Sequence, residues 1–132
     1  MNNTIPIKNF HHVAFRCRDA EQTRWFYEDI LGLKLAAAMS FDNLSGTEKK
    51  IEYMHIFFEM VDGNYIAFFD DPHNAEADSF KDMNGFDSHV AVEVESMEHL
   101  KEIEAKLNKI SWGSFIIDHE FVTSLYIFDP NG

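Results

Sequence analysis

Two histidines stand at matching places in a repeated pattern, and they are the side chains best suited to chemistry in this chain. His12 opens the run His-Val-Ala-Phe near the start, and His89 opens His-Val-Ala-Val past the middle. In each copy the residues alternate as in a strand, and a helix-like stretch follows. The repeat predicts a duplicated architecture in which both halves bring an imidazole to one shared site.

The first copy predicts a unit of strand, helix, strand, strand, strand. Residues 10–18 alternate, with Val13, Phe15 and Cys17 on one face and His12 on the other. Asp19 is the expected N-cap of the helix, and Gly32 is its expected end. Further strands are predicted at 33–41, 51–60 and 65–69. By the same alternation, His11 is expected on the face opposite to His12, in a structural role.

The second copy starts again after a polar stretch. A strand is predicted at 89–94, a helix capped by Ser96 follows, and strands are expected at 114–117 and 121–128. We therefore predict a single domain over residues 1–132, with module one at about 8–72, a linker at about 73–87 and module two at about 88–132. Module two lacks a fourth strand, so we expect the natural chain to continue past Gly132.

The composition restricts the partners. A formal net charge of −12 argues against nucleic acid and anionic membranes, because both attract basic surfaces. No apolar run is long enough to cross a bilayer, and the first residues show no signal-peptide pattern. The lone Cys17 fits a reducing compartment. These features predict a soluble, cytoplasmic protein that acts on a small molecule.

Four stretches resemble the vicinal oxygen chelate superfamily of glyoxalases, bleomycin resistance proteins and extradiol dioxygenases. They are His-His-Val-Ala-Phe at 11–15, Phe-Tyr-Glu-Asp-Ile-Leu-Gly-Leu at 26–33, His-Val-Ala at 89–91, and Ser-Leu-Tyr-Ile-Phe-Asp-Pro-Asn-Gly at 124–132. The resemblance implies an α+β fold in which two tandem βαβββ modules form a curled mixed sheet around a metal-binding cleft. The last strand of that fold is missing from the 132 residues.

The same resemblance implies a metal site. The family places ligands at the histidine that opens each module, here His12 and His89, and in the fourth strand of each module. The fourth-strand position of module one falls on Ala67, which cannot bind a metal, and that of module two falls beyond Gly132. The implied set is therefore two histidines and one acidic residue beyond Gly132, with Fe(II) the expected metal and Mn, Ni or Zn the alternatives.

Two histidines and one carboxylate leave neighbouring positions open, as in non-haem Fe(II) oxygenases. The leading interpretation is an extradiol-type Fe(II) dioxygenase for a small catechol-like substrate. A Mn(II) thiol transferase, a glyoxalase-like lyase or isomerase, and a metal-free binding or resistance protein remain alternatives. The resemblance also assigns His119 and Tyr126 as catalytic residues that position substrate and move protons, and it implies a homodimer.

Three further residues are candidates for the pocket wall. His55 lies within the third predicted strand, where it could face the cleft, although packing against neighbouring strands is the commoner role of such a histidine. Phe57 could stack on an aromatic substrate or belong to the core. Ala67 completes this set. Cys17 shares a face with Val13 and Phe15, which indicates a buried apolar side chain and not a nucleophile.

Overall fold

The structure is a computed structural model that describes residues 5–43, 46, 48, 50–73, 80 and 88–132. Module one forms a mixed four-stranded sheet in the order β1 (His12–Cys17), β4 (Tyr65–Asp70), β3 (Lys50–Glu59) and β2 (Lys34–Asn43). Strand β1 pairs parallel with β4, and the other pairs are antiparallel. The α+β fold and the βαβββ order of this module are as predicted.

Helix α1 (Ala20–Arg24) continues as a π-helix over Trp25–Ile30. The Asp19 side chain caps it by accepting a hydrogen bond from the Glu21 amide, and Gly32 follows its end at φ 79°, a conformation that favours glycine. In a π-helix, residues five positions apart lie on the same side, and the Arg24 guanidinium accordingly donates to Asp29 at 3.3 Å. It also donates to Glu21 and Glu28, which lie three and four positions away.

Module two is built differently from its prediction. It contains α2 (Met97–Lys109), capped by Ser96 as expected, and a hairpin of β5 (Ser114–Asp118) and β6 (Thr123–Ile127). The strand predicted at 89–94 is not formed, and most of its side chains are exposed. In module one, β1 takes its hydrogen bonds from β4. Residues 88–132, all of them described, include no strand equivalent to β4, so the alternating run at 89–94 lacks that partner.

Two apolar cores hold the molecule together. The first lies between the sheet and α1 and contains Cys17, Ile56, Phe58, Ile66 and Phe68, each at most 4% exposed. The second joins the modules, since Phe26 and Ile30 of the π-helix pack against Leu107 of α2 and against partly buried residues before and after it in module two. Those flanking residues include Ile103, Trp112, Leu125 and Ile127. Burial of apolar surface therefore stabilises both the module and the junction.

The last four residues form a turn that docks onto module one, and we call residues 129–132 the docked turn. Tyr27 donates its hydroxyl proton to Asp129 Oδ2 over 2.7 Å. The Arg18 amide donates to Asn131 Oδ1 at 2.7 Å, and Asn131 Nδ2 lies 3.4 Å from Thr23 Oγ1. Asn131 is 3% exposed and Thr23 is fully buried, so the contact between them is shielded from water, and the other two hydrogen bonds are partly buried.

The predicted linker at 73–87 lies largely outside the described residues. Within it, Phe80 is buried, and the Arg18 guanidinium lies 4.7 Å from the centre of its ring. The division into modules therefore stays a prediction at this boundary.

The homodimer also stays a prediction, although several large apolar side chains of module two are exposed. They include Val92, Phe115, Phe121 and Phe128. Among the described residues, no helix combines the length and apolar character needed to cross a membrane.

Replacement of Tyr27 by Phe should destabilise the protein. It removes the hydroxyl that pairs with Asp129 and leaves a partly buried carboxylate short of a donor, a loss of about 2 kcal/mol in the free energy of unfolding. Urea unfolding followed by circular dichroism measures this. Tyr126→Phe is the matched control, because it deletes a hydroxyl whose hydrogen bond is exposed. Equal losses in both variants would show that the docked turn gains nothing from Tyr27.

Candidate functional site

The sheet of module one divides its side chains between the core and an open face. Val13, Phe15 and Cys17 pack into the core as predicted, so His12, Ala14 and Arg16 project from the other face of β1. Across the pairing register, Ala14 stands beside Ala67, and Ala67 stands beside Phe57. The open face therefore carries His12 together with the residues predicted for the pocket wall.

Aromatic rings cover this open face in a continuous series, which we call the aromatic face. His12 lies 5.4 Å from Phe57 and 6.3 Å from His55 between ring centres. His55 stacks on Phe69 at 3.9 Å and 18°, and also contacts Phe57 at 4.2 Å. The series extends through Tyr65, Tyr53 and Phe41. The structure thus brings His12, His55, Phe57 and the small, fully buried Ala67 together.

His11 does not lie on the face opposite to His12, and that prediction is wrong. The Nδ1 atoms of the two rings are 2.8 Å apart, and the His11 ring also contacts Tyr65 at 5.3 Å. The reason is that β1 begins at His12, so strand alternation does not extend back to His11. One Nδ1 donates a proton and the other accepts it, which ties the His12 tautomer to that of His11 and leaves Nε2 of His12 outside this hydrogen bond.

His55 is held in an apolar setting. Its Nε2 atom is buried and has no hydrogen-bond partner among the described residues. Burial lowers the pKa of the imidazole, and the nearby His12 lowers it further. His55 is therefore neutral at pH 7, which is the protonation state that ligates metals and accepts protons.

His89 lies exposed in the segment that was expected to form a strand. Among the described residues, no group of three or more His, Cys, Asp or Glu side chains is arranged to hold a metal ion. The shared site of His12 and His89 therefore stays a prediction, and so does the acidic ligand expected beyond Gly132.

The hairpin of module two brings the two predicted catalytic residues together. His119 Nε2 lies 3.0 Å from the Tyr126 hydroxyl, and Phe115 stacks on the Tyr126 ring at 5.1 Å and 13°. A tight turn places His119 there: Glu120 adopts a φ of 74°, and its amide donates to Asp118 Oδ1 at 2.9 Å. The pair is exposed, and an imidazole hydrogen-bonded to a phenol can pass a proton.

An open depression of about 610 Å³ lies at the other end of the sheet from His12. Phe41, Tyr53 and His73 line it with several acidic residues, and His73 pairs with Glu52 at 3.4 Å. Phe41 and Tyr53 also belong to the aromatic face, and the opposite end of that face is the better candidate for chemistry because it carries His12. The extent of that face was not predicted, although aromatic residues at every second position, Tyr53, His55 and Phe57, are its signature in the sequence.

Cys17 is fully buried, as predicted for an apolar side chain. Burial raises the pKa of its thiol to about 11, and the carboxylates of Asp70, Asp19 and Asp129 act in the same direction. The thiolate is the reactive form of cysteine, so Cys17 is poorly suited to act as a nucleophile.

Cys17 should accordingly resist alkylation in the native protein. At pH 7.5 a thiol of this pKa is thiolate in a fraction on the order of 10⁻³ or less, whereas an unfolded cysteine ionises near pH 8.5. We expect iodoacetamide to label native protein at least ~100-fold more slowly than urea-unfolded protein, as followed by intact mass. Comparable rates in the two states would contradict the burial of this side chain.

Solved structures of similar fold cover nearly the whole chain. A glyoxylase/bleomycin resistance protein/dioxygenase domain from Frankia sp. EAN1pec aligns with a TM-score of 0.71 at 17% identity, over 96% of this chain and 92% of that one. Glyoxalase I from Leishmania major aligns with a TM-score of 0.68 at 18% identity, over 96% of this chain and 82% of that one. At these identities the likeness establishes the fold alone.

A fosfomycin resistance protein, FosX, from Listeria monocytogenes aligns with a TM-score of 0.63 at 13% identity, over 94% of this chain and 87% of that one. Its structure contains Mn(II) and 1S,2S-dihydroxypropylphosphonic acid. A search of curated protein sequences finds no match. The family model of the Glyoxalase/Bleomycin resistance protein/Dioxygenase superfamily matches residues 9–132. The chain therefore belongs to that superfamily, as the four sequence stretches indicated.

Proposed function

We propose that the protein is a metal-dependent dioxygenase of the extradiol type, which cleaves a small aromatic ring that carries two neighbouring oxygens. The observation that carries this proposal is the aromatic face beside His12. Phe57, Phe69 and Tyr65 are only partly buried, so their rings keep surface on which a planar substrate can stack. Stacking there would bring the oxygens of the substrate close to His12.

Donor atoms suited to a divalent metal are present on this face. Nε2 of the exposed His12 lies outside the hydrogen bond to His11, and Nε2 of His55 is a buried atom without a partner among the described residues. These observations fit the proposed role of His12 as a ligand, with His89 as another. If bound there, Fe(II) would supply Lewis acidity toward the two substrate oxygens and the redox chemistry that a reaction with O₂ needs.

The remaining roles belong to side chains of this chain. His11 holds the His12 ring through Nδ1, and an orienting partner of this kind is typical of metal-bound histidines. We assign His119 as the base that accepts a phenolic proton from the substrate, and Tyr126 as the hydroxyl that orients the His119 ring. Phe115 stacks on Tyr126 and restricts the ring that bears this hydroxyl.

Electrostatics favours a substrate with little negative charge. The chain carries a net charge of −12, and Arg16, the basic residue of β1, already pairs with Asp71 at 3.5 Å. A phosphonate dianion would meet repulsion from this surface. A Mn(II) thiol transferase remains the second candidate because the fold is shared with FosX, and an isomerase remains one through glyoxalase I. The third candidate, a metal-free binding protein, would have no use for paired histidines.

Oxygen uptake tests the proposal directly. Protein purified anaerobically without a histidine tag and loaded with Fe(II) should consume O₂ with at least one member of a catechol panel. His12→Ala should abolish this uptake, since it removes a ligand. Thiol-dependent modification of an electrophile without O₂ would favour the transferase. Ligand binding that chelators leave unchanged would favour the binding protein.

The assignment of His119 predicts a specific kinetic defect. His119→Asn should lower kcat by roughly 100-fold, the usual size of a general base contribution, and Tyr126→Phe should lower it less. Metal content should stay the same in both variants. His99→Asn is the matched control, because His99 is an exposed histidine on α2 that pairs with Ser96. An unchanged kcat in His119→Asn would refute the assigned role.

A further inference from the structure

We infer that His55 is a ligand of the same metal as His12, so that module one alone supplies two imidazoles to the site. This inference rests on the proposed function in one respect, namely that a divalent metal binds at His12. It departs from the ligand pattern of the superfamily, which places the second ligand of a module in its fourth strand.

The first support is the position of His55 on the sheet. His12 lies on β1 and His55 on β3, with β4 between them. On β4, His12 pairs with Tyr65 and His55 pairs with Phe69. Ala67 is the β4 residue midway between these two positions on the same face. A methyl group is too small to separate the imidazoles. Ala67 also occupies the fourth-strand ligand position, so His55 would replace the donor that is lost there.

The second support is distance. The ring centres of His12 and His55 are 6.3 Å apart. A metal bound through Nε2 at about 2.1 Å lies roughly 3.2 Å from each ring centre, so two ligating rings can stand up to roughly 6.4 Å apart. A tetrahedral angle reduces this to roughly 5.2 Å. A joint movement of the exposed His12 side chain and the exposed His11 ring bonded to it can supply the difference of about 1 Å.

The third support is the environment of the His55 ring. Its Nε2 atom is buried and lacks a partner among the described residues, and native proteins rarely leave such an atom unpaired. A bound cation would satisfy it. The ring is also fixed, because Phe69 stacks on it at 3.9 Å and Phe57 contacts it at 4.2 Å. A ligand held in place in this way loses little conformational freedom when the metal binds.

The test is Co(II) binding to the full chain, without a histidine tag, followed by visible absorption and by calorimetry. Wild-type protein should bind about one Co(II). His12→Phe and His55→Phe should each weaken binding by roughly 100-fold or more, since each removes a ligand. His99→Gln should bind as the wild type does. His55→Phe should keep its circular dichroism spectrum, because a phenyl ring fits between Phe57 and Phe69. His55→Gln provides a second variant.

The outcomes separate this inference from the proposed function. Loss of binding in His12→Phe with wild-type affinity in both His55 variants would overturn the role of His55 and leave the metal at His12 intact. Loss of Co(II) binding in both the His12 and the His55 variants supports the role of His55 as a ligand, even if the protein oxidises no catechol. Absence of Co(II) binding by the wild type overturns both. If neither His55 variant folds, contact shifts of the His55 ring signals in wild-type protein with Co(II), which pass only through a metal–ligand bond, support the role, and purely through-space shifts overturn it.

Discussion

The docking of residues 129–132 onto α1 and its π-helical continuation is the interaction on which the rest of this structure depends. Tyr27 and Asp129 belong to two sequence stretches that identify the superfamily, and here they hydrogen-bond to each other. The buried Asn131 adds contacts to the Arg18 amide and to Thr23. Because module two has only a two-stranded hairpin and one helix to pack, this polar junction and the apolar cluster around Phe26 hold it against module one.

The same helix determines which face of the sheet is covered. Helix α1 covers one face of the four-stranded sheet, and the apolar side chains of β1, β3 and β4 are buried beneath it. The opposite face is left open, and strand alternation places His12, His55 and Phe57 there. The aromatic face is thus a consequence of how the core is packed. The proposed planar substrate and the proposed metal are both assigned to this face, because it carries the aromatic rings and the imidazoles of His12 and His55.

Neighbouring side chains determine what each histidine can do. His12 is exposed and oriented by His11, whereas His55 is enclosed by Phe57 and Phe69 and kept neutral. His119 lies on the module-two hairpin beside Tyr126. The three histidines therefore have different environments. That of His12 suits an accessible ligand, that of His55 suits a fixed donor, and that of His119 suits proton transfer.

The sequence alone determined the superfamily, the βαβββ order of module one, the helix caps and the two faces of β1, because these depend on local periodicity and capping. Tertiary structure decided the rest. The strand expected at 89–94 is not formed, since strands need partners and residues 88–132 offer no equivalent of β4. The position of His11 beside His12 and the packing of His55 against Phe69 depend on where a strand begins and on register across β4. Both are set by contacts between residues far apart in the chain.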